Sequence, residues 1–257
     1  MYRLIDTHSH LFVDDFDTDR SEVMFRAREA GITHILMPNI DVASVEPMLR
    51  VCGEYPGYCF PMIGLHPTEV DANYRDALTA LKPLLDEHPF IAIGEVGLDL
   101  YWDKTYKKEQ LAVLDEQIGW ALERDLPLVI HSREAFPELY ALFSHYKDSP
   151  IRGVFHSFTG TADEAHALLE FPGFMLGING VVTFKKSTLP DALSEVPLSR
   201  IVVETDSPYL APAPYRGKRN ESSYVVRVVE KLSEIYALSL DAIADATYRN
   251  ACAVFGL

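Results

Sequence analysis

The sequence predicts an α/β protein, a single (β/α)8 TIM barrel whose parallel strands carry a metal site at their C-terminal ends. Short apolar runs alternate with longer amphipathic stretches along the chain, which is typical of βα units. The length of 257 residues is the usual size of eight such units. No linker, repeat or low-complexity tract divides the sequence, so we expect one domain over residues 1–257.

The predicted strands are residues 4–8, 34–38, 59–64, 91–95, 128–131, 153–156, 175–178 and 201–204. The predicted helices are residues 18–30, 42–52, 76–87, 106–124, 136–145, 162–170, 189–196, 222–236 and 240–254. This alternation predicts a parallel sheet, and the length favours its closure into a barrel. A doubly wound open sheet has the same alternation. No Gly-x-Gly-x-x-Gly follows the first strand, so a nucleotide cofactor is not expected there.

Composition and charge limit the classes of protein that are possible. The 48% apolar and 24% charged residues are those of an ordinary globular protein. Cys52, Cys59 and Cys252 form neither an even disulfide set nor a metal motif, so we expect reduced thiols in a cytoplasmic protein. Residues 1–3 lead straight into the first strand, so we expect no secretory leader. No apolar run approaches the roughly 18 residues that span a bilayer.

The net charge of −15 argues against a protein that coats duplex DNA, because such binding depends on neutralising phosphates. It does not exclude a nuclease. Two divalent cations in a site would add four positive charges at the point where an anionic substrate binds.

Six side chains of metal-binding types lie at the ends of the predicted strands. His8 and His10 follow the first apolar run and would share one face of an extended strand, where they could grip one metal ion. The others end later strands and are Glu95, His131, His156 and Asp206. Active sites of (β/α)8 barrels lie at this end of the strands. The six residues therefore predict a metal centre.

Four histidines and two carboxylates are too many for one tetrahedral zinc ion that keeps an open position. They suit two divalent ions, Mg, Mn or Zn, about 3.5–4 Å apart. We expect Glu95 to bridge them, in a glycine-flanked turn at residues 94–97 that allows close approach. A metal-activated water would be the nucleophile. Asp206 could accept its proton, and Arg133 could bind an anionic substrate oxygen.

Each residue also has a structural explanation when it is considered alone. His131 or His156 could be a core histidine bonded to a backbone carbonyl. Glu95 could be paired with an arginine, and Asp206 could cap a turn. Their common position at strand ends favours the metal site. His66 ends the third strand outside this ligand set and could either touch substrate or be structural.

Asp6 precedes His8 by two residues and could orient a ligand from outside the metal's own shell.

Eight segments, in order from residue 6 to 221, make the chain resemble the TatD family of metal-dependent deoxyribonucleases, within the amidohydrolase-like barrels. The segments are DTHSH (6–10), GLHP (64–67), GEVGLD (94–99), PLVIHSR (127–133), FHSFTG (155–160), VTFK (182–185), ETDSPY (204–209) and RGKRNE (216–221). The resemblance implies His8, His10, Glu95, His131, His156 and Asp206 as metal ligands. It also implies phosphodiester hydrolysis, with exonuclease activity from the 3′ end. Glu95 stands where related barrels often use a carboxylated lysine.

The sequence departs from the family pattern at two places. Members usually carry Pro after Asn-Glu in the last motif, where this chain has Ser222, and the segment after His131 often reads Ser-Arg-Asp, where this chain has Glu134. We expect both differences to affect the rim of the substrate site rather than the ligands.

Basic and aromatic residues surround the predicted mouth. Nine of the 23 Lys and Arg residues follow strands four, five, seven and eight: Lys104, Lys107, Lys108, Arg133, Lys185, Lys186, Arg216, Lys218 and Arg219. Interleaved with them are Tyr101, Trp102, Tyr106, Phe184, Tyr209 and Tyr215. Cations along a backbone and rings for base stacking are features of single-strand binding. Ordinary solvated charge and barrel-capping rings are the structural alternative.

We therefore expect a 3′-5′ exodeoxyribonuclease that prefers single-stranded or frayed DNA ends. Arg133, His66, Lys185 and Arg219 are its candidate substrate contacts. A metallohydrolase of a small amide, ester or lactone, a deacylase of charged tRNA and a non-catalytic binding protein are the alternatives. No membrane and no stable protein partner is implied.

Overall fold

The computed structural model describes residues 3–257. The expectation that residues 1–3 carry no secretory leader therefore falls largely on Met1 and Tyr2, which lie outside the described residues. Eight parallel strands follow one another around the sheet in sequence order. They are β1 (Leu4–Asp6), β2 (Ile32–Pro38), β3 (Cys59–Ile63), β4 (Ala92–Asp99), β5 (Leu128–Arg133), β6 (Gly153–Phe155), β7 (Phe174–Ile178) and β8 (Ile201–Val203). All eight predicted strands are present, with shifted ends.

Backbone hydrogen bonds close the sheet between its first and last strands. The Thr7 amide donates to the Val203 carbonyl at 3.2 Å, and the Asp206 amide donates to the His8 carbonyl at 2.9 Å. The His10 amide donates to the Ser207 carbonyl at 2.7 Å. The (β/α)8 prediction is confirmed, and the open sheet is excluded.

Ten α-helices lie between and after the strands in the described part of the chain. They are α1 (Arg20–Glu29), α2 (Val45–Glu54), α3 (Tyr74–Leu81), α4 (Leu84–Glu87), α5 (Lys107–Arg124), α6 (Phe136–Ser144), α7 (Ala162–Leu168), α8 (Leu189–Leu193), α9 (Val225–Tyr236) and α10 (Leu240–Phe255). The single helix predicted over residues 76–87 is wrong. Pro83 separates α3 from α4, because proline has no amide hydrogen to donate and its ring clashes with the preceding turn. Among residues 3–257, no helix combines the length and the apolar character needed to cross a membrane.

Strand β4 is longer than predicted, and the expected turn at residues 94–97 is wrong. This segment stays within the strand, where pairing with β5 is irregular between Ile93 and Val96. Gly97 has a φ of +148°, and a Cβ there would lie 2.0 Å from the carbonyl oxygen of His131. The glycine therefore allows β4 and β5 to approach closely beside Glu95, as the sequence analysis expected, but within a strand.

A layer of apolar side chains fills the barrel beneath the site. Seven strands contribute one residue each to this cluster: Ile5, Leu36, Met62, Ala92, Val129, Val154 and Val202. Residues Ala251, Val254 and Phe255 of α10 pack against it. Because alternate strand residues share a face, His131 lies on the same side as Val129, and His156 on the same side as Val154. The strand pattern therefore directs both histidines into the barrel, above its apolar layer.

Candidate metal centre

His8 and His10 lie just beyond the end of β1, and both side chains are buried. Their Nε2 atoms are 3.2 Å apart. Two nitrogens bonded to one tetrahedral zinc ion at about 2.0–2.1 Å would be about 3.3 Å apart. The pair therefore has the spacing of two ligands of one metal ion, as the His-x-His spacing predicts.

The Glu95 carboxylate lies between two groups of histidines. Its Oε2 atom is 3.0 Å from His8 Nε2 and 3.7 Å from His10 Nε2. Its Oε1 atom is 2.8 Å from His131 Nδ1 and 3.6 Å from His156 Nε2. Each carboxylate oxygen thus faces different imidazoles, which is the arrangement that a carboxylate bridging two metal ions requires.

Asp206 follows β8 and places its carboxylate beside the same histidines. Its Oδ1 atom is 3.6 Å from His10 Nε2, 3.8 Å from His8 Nε2 and 3.9 Å from His156 Nε2. The backbone of Asp206 has a φ of +58°, a left-handed conformation that aspartate tolerates better than most residues. The structure therefore brings together all six residues that the sequence analysis selected.

Electrostatic interactions within this cluster stabilise the ionised forms of Glu95 and His131. Burial opposes ionisation of Glu95, but the surrounding imidazoles, first among them His66 and His8, hold its pKa well below the ordinary value. Burial also opposes a charge on His131, yet its hydrogen bonds with Asp99 and Glu95 raise its pKa to about 9. The carboxylates are therefore anionic at neutral pH, and a metal ion would compete with protons held on the imidazoles.

The donor set fits divalent metal ions. Imidazole nitrogens suit zinc, manganese and iron, and carboxylate oxygens suit these ions and magnesium. Two sets of possible ligands share Glu95: His8 and His10 form one with it, and His66 and His131 form the other. His66 was not among the predicted ligands, but its Nε2 atom is 3.3 Å from Glu95 Oε1.

Two buried carboxylates, which were not among the predicted site residues, lie against candidate ligand histidines. Glu204 Oε1 lies 2.9 Å from His156 Nδ1, and Asp99 Oδ2 lies 3.1 Å from His131 Nε2. Such partners fix ring orientation and raise ligand basicity. A signal was present, because Glu204 begins the motif that follows β8 and Asp99 ends the motif in β4.

Asp6 lies below the histidines and ties β1 to β8. Its Oδ1 atom accepts from the Thr205 amide at 2.9 Å, and its Oδ2 atom accepts from the Thr205 hydroxyl at 2.7 Å. Complete burial raises the pKa of Asp6 to about 7, although these hydrogen bonds favour ionisation. Its direct contact with a ligand residue is to the backbone amide of His8, at 3.5 Å.

The predicted substrate contacts lie in two different surroundings. His66 and Arg133 line a cavity of about 740 Å³ that opens over the metal centre. Within residues 3–257, Lys185 and Arg219 are not part of its lining. Arg219 donates to both carboxylate oxygens of Asp19, at 2.8 and 2.6 Å. A role for Lys185 or Arg219 in substrate binding stays a prediction.

The two departures from the family pattern also lie apart. Ser222 is fully buried, and its hydroxyl is 3.4 Å from that of Ser9, between the two ligand histidines of β1. Its expected position at the substrate rim is therefore wrong. Glu134 is exposed, with a φ of +50°, directly after the cavity-lining Arg133.

The sequence matches the family described as TatD related DNase over residues 5–256. The chain belongs to the TatD family. The resemblance stated from the motifs is confirmed, and this TatD protein is a metal-dependent hydrolase whose histidines and glutamate are positioned to bind metal.

Three similar proteins match over nearly their whole lengths. YabD of Bacillus subtilis, named an uncharacterized metal-dependent hydrolase, is 36% identical over 253 residues, which cover 98% of both chains. A Pantoea vagans protein named 3'-5' ssDNA/RNA exonuclease TatD is 30% identical over 260 residues, covering 99% of this chain and all of its own. The crystal structure of YjjV, a TatD homologue from Escherichia coli, superposes with a TM-score of 0.92 at 29% identity, over 99% of this chain and 98% of YjjV.

Proposed function

We propose that this TatD protein removes nucleotides from the 3′ ends of single-stranded or frayed DNA by hydrolysing phosphodiester bonds. Two divalent metal ions, Mg, Mn or Zn, would be held by His8, His10, Glu95, His131, His156 and Asp206. Residues 1–257 would act as one domain. Its three free cysteines favour a reducing, cytoplasmic location.

One observation carries the proposal: the two oxygens of Glu95 face different histidines. His8 lies 3.0 Å from Oε2, and His131 lies 2.8 Å from Oε1. A single metal ion would not need histidines on both oxygens of the carboxylate. A pair of ions sharing Glu95 would use every donor, and such pairs are typical of enzymes that displace phosphate esters.

Divalent ions in this centre would supply Lewis acidity, which lowers the pKa of the attacking water and stabilises charge on phosphate oxygens. The protein's own groups supply the remaining steps. Burial opposes ionisation of Asp206, but hydrogen bonding from His10 and the charge of His156 lower its pKa, so its carboxylate is free to accept the water's proton. Arg133 lines the cavity, where its guanidinium could hold a non-reacting phosphate oxygen.

Nucleic acid is favoured as the substrate by the relatives and by the cavity wall. Two Pantoea proteins at 29% and 30% identity are named 3'-5' ssDNA/RNA exonucleases. The cavity is lined by Trp102 and Tyr209 as well as Arg133. Rings and a cation beside a hydrolytic centre suit unstacked bases and a phosphate backbone more than a small neutral amide.

The test is degradation of a 5′-labelled single-stranded DNA oligonucleotide after metal stripping and after addition of Mg, Mn or Zn. We expect a ladder of products shortened from the 3′ end, with metal only. Glu95→Gln preserves shape but removes the shared charge, and should lower the rate by more than about 100-fold, since loss of an outer partner of a metal ligand already costs 10–100-fold. Glu221→Gln is the control, because Glu221 is a buried carboxylate that pairs with Arg26 rather than with a histidine.

Intact DNA after treatment with fully metal-loaded wild-type protein would contradict the nuclease assignment. Small amides, esters, lactones and charged tRNA would then be tested with the same metal-loaded protein.

A further inference from the structure

We propose that Trp102 is the stacking surface of a nucleobase subsite beside the metal centre, with Tyr101 and Arg133 holding it in place. This proposal rests on the proposed function and names the part of the substrate that the loop between β4 and α5 recognises: the base of the 3′-terminal nucleotide.

The exposure of the ring is the first observation. The Trp102 side chain is 71% exposed, although it borders the cavity over the metal centre. The other tryptophan, Trp120, is 1% exposed within α5. Leaving a large apolar ring in water forgoes the stabilisation that burial would provide. At the mouth of a hydrolytic cavity, this ring offers a flat face on which a base can stack.

A second observation connects this loop to the metal centre. The Asp99 carboxylate lies 3.1 Å from His131 Nε2 through Oδ2 and accepts from the Tyr101 amide at 3.0 Å through Oδ1. The Leu100 amide donates to the Arg133 carbonyl at 2.9 Å. One carboxylate thus contacts both a candidate ligand histidine and the backbone at the start of the aromatic loop, which anchors the start of that loop at the ends of the strands.

The third observation is the position of the cation. The Arg133 guanidinium carbon lies 4.0 Å from the centre of the Tyr101 ring and 5.2 Å from that of Trp102. The two rings are edge to face, with centroids 4.8 Å apart. A guanidinium held by rings keeps its N–H groups available for a phosphate. Base on Trp102 and phosphate on Arg133 together match one nucleotide.

Tyr209 forms another part of the cavity wall. It is 54% exposed, lines the same cavity and has its ring centre 6.2 Å from that of His10. The cavity therefore presents two exposed aromatic rings, of which Trp102 is the more exposed.

The test measures binding to metal-loaded protein, with an oligothymidylate whose phosphorothioate linkages resist hydrolysis. A second oligonucleotide is identical except that its 3′-terminal sugar lacks a base. Trp102 reports directly on stacking, because Trp120 is buried. We expect saturable quenching of tryptophan fluorescence by the complete oligonucleotide. The abasic one should bind about 5- to 150-fold more weakly, the range expected from base–aromatic stacking.

Three variants complete the design, with affinities measured by anisotropy of labelled oligonucleotides. Trp102→Ala should bind both oligonucleotides equally weakly, because the terminal base then has no ring on which to stack. Trp102→Phe should restore discrimination without quenching. Phe25→Ala removes a ring that is 64% exposed on α1 and should change nothing.

Equal discrimination by wild type and Trp102→Ala, or quenching that does not saturate, would overturn the subsite. These failures are distinct from failure of the proposed function. If the protein degrades ordinary DNA but the fluorescence of Trp102 does not change on binding, only the subsite is contradicted. Base-dependent quenching without any cleavage would retain the subsite and contradict the nuclease assignment.

Discussion

Replacement of Glu204 by glutamine tests how the centre is held. Glu204 is completely buried, its Oε1 lies 2.9 Å from His156 Nδ1, and the same atom accepts from the Ser157 amide at 2.6 Å. Two opposite charges at that distance attract by about 6 kcal/mol at an effective dielectric constant near 20. Most of that attraction is offset by desolvation of the buried charges. Glutamine would keep the shape and the acceptor for Ser157 but remove the charge that supports the imidazole.

We expect Glu204→Gln to weaken metal binding 10–100-fold, or about 1.4–2.7 kcal/mol, which is the usual effect of losing such a partner. The assay is competition for metal against a chromophoric chelator, with folding of the metal-free protein followed in urea. Glu221→Gln is matched, because it also removes a buried carboxylate, there bonded to Arg26 at 2.8 and 2.6 Å. Equal metal affinity in wild type and Glu204→Gln would refute the assigned role of Glu204.

Two further predictions concern the backbone and the thiols. Gly97→Ala should lower the free energy of unfolding by about 3 kcal/mol or more, because its Cβ would lie 2.0 Å from a carbonyl oxygen of β5. Gly53→Ala, whose Cβ would have nothing within 4 Å, should instead stabilise the protein by about 0.5–1 kcal/mol. Urea denaturation compares the two variants, and equal stabilities would contradict the steric argument. Burial raises the pKa of Cys52 to about 12, so at pH 8 this thiol stays protonated and unreactive, while the partly exposed Cys252 reacts with a disulfide reagent. Cys252→Ser should remove the fast phase of that reaction, and its persistence would show that a buried thiol is accessible.

Two of the six candidate ligands could be placed inside the barrel because they follow the strand pattern. His131 lies two residues after Val129, and His156 two residues after Val154, so the apolar periodicity that marks the barrel interior also directs both imidazoles. The ends of parallel strands meet at one face of the barrel. Residues far apart in sequence were therefore expected together before any distance was known.

Local signals were less successful where the backbone departs from regular geometry. The glycines around Glu95 suggested a turn, but neighbouring strands keep the segment extended as part of Ala92–Asp99. The helix predicted across Pro83 is two helices, because the apolar spacing continues through a residue that breaks the hydrogen-bond ladder. Periodicity records which side chains are buried, and the backbone path between them also depends on tertiary contacts.

The sequence by itself determined the barrel architecture and the common strand-end position of the six candidate ligands, because these follow from the alternation of strands and helices and from the shared direction of parallel strands. Only the tertiary structure decided the partners of the polar side chains. It pairs Arg219 with Asp19, 200 positions away, and places Glu204 against His156. Such pairings depend on the paths of the loops and on whether each polar group is solvated by water or bound to a buried partner. The spacing of residues along the chain gives no information on either of these.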